Sequence, residues 1–305
     1  MKYLYGPIPS RRLGRSLGIS PIPKKTCNYS CIYCQLGRTN PMTNKRQSFF
    51  PVAEILVEFD AVLQHQTPFD VVSIVGEGEP TLYLELEELI IELKKRTNKP
   101  VAIITNGALL YDEMVRRALF HADIVLPTMD AFDETSLKKI SRPHPSITFL
   151  KIIEGLKTFS KEYQGELWLE IMLMKGINDD IDSLKKYQAL LKEIKYSRLY
   201  LNTPVRPPAE AEVKVVDHAS MEMAVELLGG ISIELLSTQG FFSDIEDDYQ
   251  AILSIIRRHP MNQFEIESFM KTRGGLDCTS LFQTLQTDPT VKVLLYKGIY
   301  TYRLK

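Results

Sequence analysis

The sequence predicts an α/β protein whose main domain holds a parallel sheet, either an open, partial (β/α)6 barrel or a doubly wound sheet. Three observations predict this class. Short apolar stretches alternate with helical patterns six times, polar or glycine-rich segments follow the apolar stretches, and the pattern changes near residue 240. Strand–helix alternation is typical of parallel strands joined by crossover helices. Six units are too few for a closed eight-stranded barrel.

Length and composition limit the class further. The chain has 305 residues, of which 44% are hydrophobic, enough for one large core and a small appended domain. No apolar run approaches the roughly 20 residues that a membrane span needs, and the first residues lack the apolar core of a secretion signal. We therefore expect a cytoplasmic protein with reduced thiols and no membrane partner.

The elements of the main domain follow from the period of the apolar residues. The strand candidates are 16–21, 70–75, 101–105, 123–128, 166–174 and 198–203. The helix candidates are 52–65, 84–96, 109–119, 147–159, 181–194 and 217–228. Alternation along the fifth strand places Leu167, Leu169, Ile171 and Leu173 on the face that helices cover, and Trp168, Glu170, Met172 and Met174 on the other face.

A breakpoint at 240–244 divides the chain into a main domain, 1–240, and a C-terminal domain, 241–305. The latter contains helix candidates 245–258, 263–272 and 278–286, then strand candidates 291–296 and 299–304 around Lys297 and Gly298. Three helices and a hairpin are the outline of a winged helix-turn-helix. Eight Lys and Arg against seven Asp and Glu from residue 245 onward are too few for DNA binding to be assumed, so protein or peptide binding and dimerisation remain open.

Three cysteines within eight residues decide the chemistry. Cys27, Cys31 and Cys34 have the spacing C-x3-C-x2-C, and Cys278 is the only other cysteine. Thiolates at close spacing select zinc or an iron–sulfur cluster. A structural zinc site uses four ligands, and a disulfide would leave one thiol over. The triad therefore favours a four-iron cluster with one iron open to a reactive ligand.

Unusual residues collect after the other strands, where parallel α/β proteins bind ligands. Residues 76–81 read GEGEPT after the second strand, Asn106 follows the third, Asp130 the fourth, and residues 202–204 read NTP after the sixth. Glycines allow close approach of the backbone, and carbonyls beside a carboxylate suit an ammonium group. Glu170 is either a ligand or a structural partner for a cation such as Arg198, since an unpaired buried carboxylate is costly.

Positive charge is concentrated at the N-terminal end. Residues 1–53 contain nine Lys and Arg and no Asp or Glu, although the whole chain has a net charge of −1. This asymmetry indicates either an anionic ligand near the segment or pairing with the acidic helices that follow. Arg11, Arg12 and Arg15 have planar guanidinium groups that suit phosphate or carboxylate, and we expect them near the substrate.

Together, the cysteine motif, the aromatic Tyr33 before its last cysteine and the Gly-Glu-Pro turn resemble the radical S-adenosylmethionine (radical SAM) superfamily. The resemblance covers roughly residues 10–236 and implies a partial (β/α)6 barrel. It also implies a [4Fe-4S] cluster on the three cysteines, whose open iron binds S-adenosylmethionine and whose electron cleaves it to a 5′-deoxyadenosyl radical that abstracts a substrate hydrogen.

The resemblance also implies roles for individual residues. Tyr33 lies near the adenine, and the turn takes the methionine amino group through Gly78, Glu79 and Pro80. Candidates to bind the ribose and the carboxylate of S-adenosylmethionine are Asn106, Asp130 and Glu170. The loop that ends at Asn178 is similar to the family's adenine-contacting loop. Flavodoxin or ferredoxin is the electron donor that the family implies.

Two further stretches are similar to a subfamily related to wyosine-type tRNA-modifying enzymes: residues 6–18 (GPIPSRRLGRSLG) and residues 35–39 (QLGRT). The chain departs from wyosine synthases because it has no second cysteine triad and no strongly basic extension. RNA and a peptide or protein therefore both remain as substrates. The alternative from another class is an iron–sulfur redox sensor that binds nucleic acid through the winged helix.

Overall fold

An eight-stranded sheet in the order β1 to β8 forms the centre of the main domain. The computed structural model describes residues 1–233, 241, 243, 245–257, 259–275, 278–296 and 299–305. Strands β2 to β8 run parallel, and β1 joins β2 as an antiparallel hairpin at one edge. The strands are Leu4–Ser10, Gly14–Ile19, Val71–Ile74, Val101–Thr105, Ile124–Pro127, Glu166–Met172, Arg198–Asn202 and Ile231–Ser232.

Seven helices, numbered α1 to α7, connect these strands. They are Val52–Gln64, Leu86–Arg96, Glu113–Leu119, Glu134–Ile140, Phe149–Glu162, Ile181–Leu191 and His218–Leu228. The six predicted strands and six predicted helices of this domain are confirmed, with ends that differ by up to four residues. Sequence reasoning missed β1, β8 and α4. Two prolines interrupt β1, which is tolerated at a sheet edge, β8 has two residues and α4 only seven.

The helices pack on one face of the sheet, which distinguishes a partial barrel from a doubly wound sheet. One continuous core joins the outward side chains of the strands to the helices, with Phe59, Leu89, Leu119, Phe159 and Leu184 among its members. A separate cluster on the inner face contains no residue of α1 to α7. The predicted alternation along β6 is confirmed, because Leu167, Leu169, Ile171 and Leu173 belong to the outer core and Trp168 to the inner cluster.

An ion pair across the inner face shows how strongly the sheet curves. Arg12, on the turn between β1 and β2, donates through Nη1 to Oε2 of Glu170 on β6. Strands β3, β4 and β5 separate the two elements, which in a flat sheet is about 19 Å at ~4.8 Å per strand. One arginine side chain cannot span that distance, so the sheet curls into an open barrel.

The C-terminal part contains three helices and a three-stranded sheet. Its elements are α8 Asp248–Ile256, β9 Met261–Asn262, α9 Gln263–Thr272, α10 Thr279–Thr287, β10 Val291–Tyr296 and β11 Ile299–Leu304, with the sheet order β10-β11-β9. The predicted helices and hairpin strands are thus present, while the winged helix-turn-helix assignment stays a prediction. Residues 240, 242 and 244 of the predicted breakpoint, and the predicted turn at Lys297 and Gly298, lie outside the described residues.

The C-terminal elements contact the main domain in two places, at β1 and at the loop after β7. Tyr5 and Ile8 of β1 belong to the same apolar cluster as Ile252 and Phe269. After β7, Arg206 donates from Nε to the carbonyl of Pro260 at 2.9 Å, and its Nη2 lies 2.7 Å from Nε2 of His259 and 3.2 Å from Oε1 of Glu265. Among the described residues, no helix is both long and apolar enough to cross a bilayer.

The Arg12–Glu170 pair gives a stability prediction. Its side chains are 18% and 8% exposed, so Arg12→Met leaves a buried carboxylate without its cation and should lower the free energy of unfolding by about 3 kcal/mol. Urea denaturation measures this loss. Arg15→Met is the matched control, because the Arg15–Asp70 pair is 39% exposed on both sides and should cost about 1 kcal/mol or less. Equal losses in the two variants would contradict the assignment.

Candidate cofactor site

The cysteine loop between β2 and α1 rests directly on the turn that follows β3. Lys25 donates its amide to the carbonyl of Glu77 at 2.5 Å, and Glu79 donates its amide to the carbonyl of Thr26 at 3.0 Å. A Cβ built on Gly78 would lie 1.8 Å from the carbonyl oxygen of Thr26. Only glycine permits this approach, so Gly78 serves the contact between the two loops, where sequence reasoning expected approach to a ligand.

The Glu79 carboxylate ties together the ends of β3 and β4. Its Oε1 accepts from the amide of Thr81 at 3.0 Å and from the hydroxyls of Thr81 and Thr105 at 2.6 Å. Its Oε2 accepts from the amide of Asn106 at 2.7 Å. Burial raises the pKa of Glu79, and these donors oppose the rise. The carboxylate that sequence reasoning offered to an ammonium group is therefore held by protein donors.

Amide side chains continue this network to the first cysteine. Nδ2 of Asn106 donates to Oδ1 of Asn28 at 2.7 Å and lies 3.7 Å from Sγ of Cys27. The amide of Tyr29 also donates to that sulfur, at 3.4 Å. N–H groups directed at sulfur favour a thiolate or a metal-bound sulfur over a thiol, so the surroundings of Cys27 suit a ligand.

Cys27, Cys31 and Cys34 are partly buried and form no disulfide. Burial raises the pKa of all three, and that of Cys27 reaches about 12. Buried thiols with raised pKa values stay neutral until a metal replaces their protons. Within the described ranges, no three His, Cys, Asp or Glu residues are grouped closely enough to hold a single metal ion. Three free thiols in one loop are the donor type that iron–sulfur clusters use.

A tyrosine from the cysteine loop contacts the end of β5. The hydroxyl of Tyr33 donates to Oδ2 of Asp130, and the amide of Met172 donates to Oδ1 at 2.8 Å. Burial is the largest cause that raises the pKa of Asp130, to about 7. Tyr33 also packs in a cluster with Met172 and Ile177. The structure thus brings together two residues that sequence reasoning placed separately around the cofactor.

Asn178 lies deeper than its predicted role implies. It is fully buried, its Oδ1 accepts from the amide of Met174 at 2.8 Å, and its Nδ2 donates to the carbonyl of Met172 at 2.9 Å and to Tyr187 at 3.0 Å. Its amide group therefore shapes the loop after β6. The glycine in that loop, Gly176, has a φ of +70° and open space beside it.

The three N-terminal arginines have different neighbours. Arg12 pairs with Glu170, and Arg15 donates from Nη2 to Oδ1 of Asp70 at 2.9 Å. Arg11 lies near the partly buried Arg206, where its charge adds to the lowering of the Arg206 pKa by burial. The cation beside Glu170 is therefore Arg12, whereas Arg198 stacks 4.4 Å above the ring of Trp168. These contacts favour pairing within the protein as the explanation for much of the basic N-terminal charge.

Glu210, in the long loop after β7, is a site neighbour that sequence reasoning missed. Its oxygens accept from Arg38 at 2.9 and 3.0 Å and also from Arg142, and these arginines lower its pKa to about 2. Its amide donates to the carbonyl of Ile32 at 3.0 Å. The β7 loop is thereby fastened to the cysteine loop. No sequence motif surrounds Glu210. Its role became visible only in the structure, where two arginines distant in sequence bind its carboxylate.

Comparison with known proteins places this site in a family. Residues 22–187, more than half of the chain, match the Radical SAM superfamily. The chain belongs to the radical SAM superfamily. That membership makes the protein an enzyme, and the family implies an iron–sulfur cluster and S-adenosylmethionine.

The chain is similar in sequence to several known proteins. The UPF0026 protein MJ1312 of Methanocaldococcus jannaschii is 37% identical over 88% of this chain and 86% of its own length. The GTPase Obg of Brachyspira hyodysenteriae is 41% identical over 73% of this chain, which spans only 33% of that protein.

Solved structures show the shared fold alone. TYW1 with a lysine-pyruvate adduct bound has a TM-score of 0.52 at 20% identity and covers 70% of this chain and 72% of its own. Streptococcus suis SuiB bound to the precursor peptide SuiA has a TM-score of 0.54 at 17% identity, over 71% of this chain and 46% of its own.

Adding one methyl group at residue 78 tests whether iron binding depends on the contact between Gly78 and Thr26. Gly78→Ala should displace the cysteine loop from the turn and reduce the iron bound after anaerobic reconstitution at least tenfold, with circular dichroism unchanged. Gly176→Ala is the control: its Cβ meets nothing within 4 Å, and its positive φ costs roughly 1 kcal/mol. Full iron binding by Gly78→Ala would show that the loops can separate without harm.

The raised pKa of Asp130 gives a pH dependence. Between about pH 4 and pH 7 the folded state binds more protons at Asp130 than the unfolded state, so this group makes stability fall as pH rises. Asp130→Asn removes the titration. Urea denaturation from pH 5 to pH 7 should therefore show the wild type losing stability faster than the variant, by roughly 1 kcal/mol per pH unit. Parallel pH profiles would contradict the pKa.

Proposed function

We propose that Cys27, Cys31 and Cys34 bind three irons of a [4Fe-4S] cluster whose fourth iron binds S-adenosylmethionine. The bound group supplies reductive cleavage of the sulfonium to a 5′-deoxyadenosyl radical, which takes a hydrogen atom from the substrate. One observation carries the proposal: three reduced cysteines lie in a single loop that is seated on the Gly-Glu-Pro turn at the carboxyl edge of a parallel sheet.

Residues around the cysteines have separate proposed roles, in binding the methionine end of the cofactor and in holding the loops. Backbone groups of Gly78, Glu79 and Pro80 would bind the methionine amino group, while the Glu79 side chain fixes the turn through its four protein donors. Asn106 orients Cys27 through Asn28.

Residues after β5 and on or after β6 would serve the adenosine end of the cofactor. Tyr33 and Asp130 form a hydrogen-bonded pair at the end of β5, and they would contact the adenosine. Asn178 supports this side by holding the loop after β6, and Glu170 supports it through its pair with Arg12.

The substrate class stays open between RNA and a peptide or protein. Similarity to TYW1 and to SuiB with its precursor peptide supports a modifying enzyme of one of these kinds. We further propose that the enzyme is cytoplasmic, takes its electron from flavodoxin or ferredoxin, and consists of a barrel domain, 1–240, and a winged helix domain, 241–305. The order of helices and strands from α8 to β11 supports the last assignment.

The cysteine assignment is tested by four alanine variants. Cys27→Ala, Cys31→Ala and Cys34→Ala should each lose most of the iron and sulfide bound after anaerobic reconstitution, and should release no 5′-deoxyadenosine with dithionite and S-adenosylmethionine. Cys278→Ala is the control, because Cys278 lies at the start of α10, in the C-terminal part. Its iron content and cofactor cleavage should match the wild type.

Two results would overturn the proposal. Equal iron loss in Cys278→Ala would show that the triad does not define the cluster. An intact cluster that never cleaves S-adenosylmethionine would point instead to a redox sensor.

A further inference from the structure

The last strand of the chain brings a positive charge to the cysteine loop. Arg303 lies on β11, and its Nη1 donates to the carbonyl of Gln35, the residue that follows Cys34. The guanidinium is partly buried, and burial lowers the pKa of Arg303 while Cys34 opposes this change. A C-terminal residue therefore touches the proposed cluster loop itself.

Charge is distributed unevenly along this loop. Carboxylates lie near the first two cysteines, Glu79 near Cys27 and Asp130 near Cys31. Cations lie near Cys34, where Arg303 and Lys25 act against the effect of burial on its pKa. The two cations flank the turn after Cys34: a Cβ built on Gly37 would lie 3.7 Å from Nη2 of Arg303 and 3.8 Å from Nζ of Lys25.

The fold holds Arg303 in place. Strand β11 pairs with β10 along its whole length and with β9 through Thr301 and Tyr302. Tyr302, the preceding residue, is buried in the core of the C-terminal part. Lys24 donates from Nζ to the carbonyl of Lys305 at 2.9 Å, so the chain is also tied to the main domain two residues after Arg303. Little side-chain entropy is left to lose when its hydrogen bond forms.

A fixed cation at this position has a physical consequence for a bound cluster. One-electron reduction adds one negative charge to the cluster, and no proton needs to move. A cation close to one ligand stabilises the more negative state, and partial burial limits screening by solvent and salt. Hydrogen bonds and charge near the cysteine sulfurs are known means of setting cluster potentials.

On the basis of the proposed function, we propose that Arg303 is a positioning residue through which the C-terminal domain favours the reduced cluster. It does so by holding the carbonyl of Gln35 and by keeping its positive charge beside Cys34. The C-terminal part would then contribute to the chemistry of the barrel, in addition to whatever partner or substrate it binds.

A redox titration tests this role directly. The reconstituted full chain is titrated with dithionite and mediators, and the reduced fraction is followed by electron paramagnetic resonance. Arg303→Gln should shift the reduction equilibrium at least tenfold toward the oxidised cluster, about 59 mV more negative for one electron. Arg303→Lys keeps the charge and should stay within threefold of the wild type. Lys271→Gln, which removes an exposed cation from α9, should leave the potential unchanged.

Hydrogen exchange separates the two parts of the proposal. Amides of residues 34–37 should exchange faster in Arg303→Gln than in Lys271→Gln, because the loop has lost its contact with β11. An unchanged potential in a cluster-bearing Arg303→Gln overturns the inference. Should that variant fail to bind iron, a tenfold shift of the reduction equilibrium toward the oxidised cluster in Arg303→Lys would overturn it instead. A wild-type chain that forms no four-iron cluster would reject the proposed function, before Arg303 is tested.

Discussion

The backbone contact between Thr26 and Gly78 is the constraint on which the candidate site depends. It fixes the cysteine loop, which has no regular secondary structure, against the rigid end of β3. Because a single methyl group would collide with the Thr26 carbonyl, the two loops cannot be varied independently. The Glu79 carboxylate then joins the same turn to the end of β4. The cysteines are thus positioned by the sheet, although they lie on a loop.

Electrostatics around the cysteines explains why the site suits a metal cluster. Burial raises the pKa of all three cysteine thiols, and the carboxylates of Glu79 and Asp130 add to the rise at Cys27 and Cys31. Bound iron removes that penalty by bringing positive charge. The Asp130 carboxyl is itself near neutrality because it is buried, which limits repulsion at the centre of the site. The cations Arg303 and Lys25 lower the pKa of Cys34 against the effect of burial.

The periodicity of apolar residues predicted the helices and strands that present one apolar face. It failed for features that depend on contacts between residues far apart in the sequence. The helix Gln263–Thr272 and the strand Val101–Thr105 match their predictions fully, since both have clear caps or buried runs. Strand β1 was missed because its prolines hide an edge strand. The partner of Glu170 could not be predicted from the sequence either. Arg12 lies 158 residues away in the chain, and only the curvature of the sheet brings the two together.

Motif reasoning proposed the site residues, and the structure adds the protein neighbours that hold them. It placed Gly78 and Glu79 against a ligand, whereas their tightest contacts are Thr26, Thr81, Thr105 and Asn106. Spacing alone cannot distinguish a residue that touches a cofactor from one that holds the loop which does. Glu210 and Arg303 carry no local signal at all, because each acts through partners far away in the sequence.

The central claim is that three cysteines leave one iron of a four-iron cluster open to S-adenosylmethionine. The most direct measurement is electron paramagnetic resonance of the dithionite-reduced, reconstituted chain, recorded before and after addition of S-adenosylmethionine that carries ¹⁵N in its amino group. The account predicts a [4Fe-4S]⁺ signal that changes on addition and shows coupling to the labelled nitrogen. A spectrum without such a cluster, or a cluster signal that S-adenosylmethionine leaves unchanged, would contradict it.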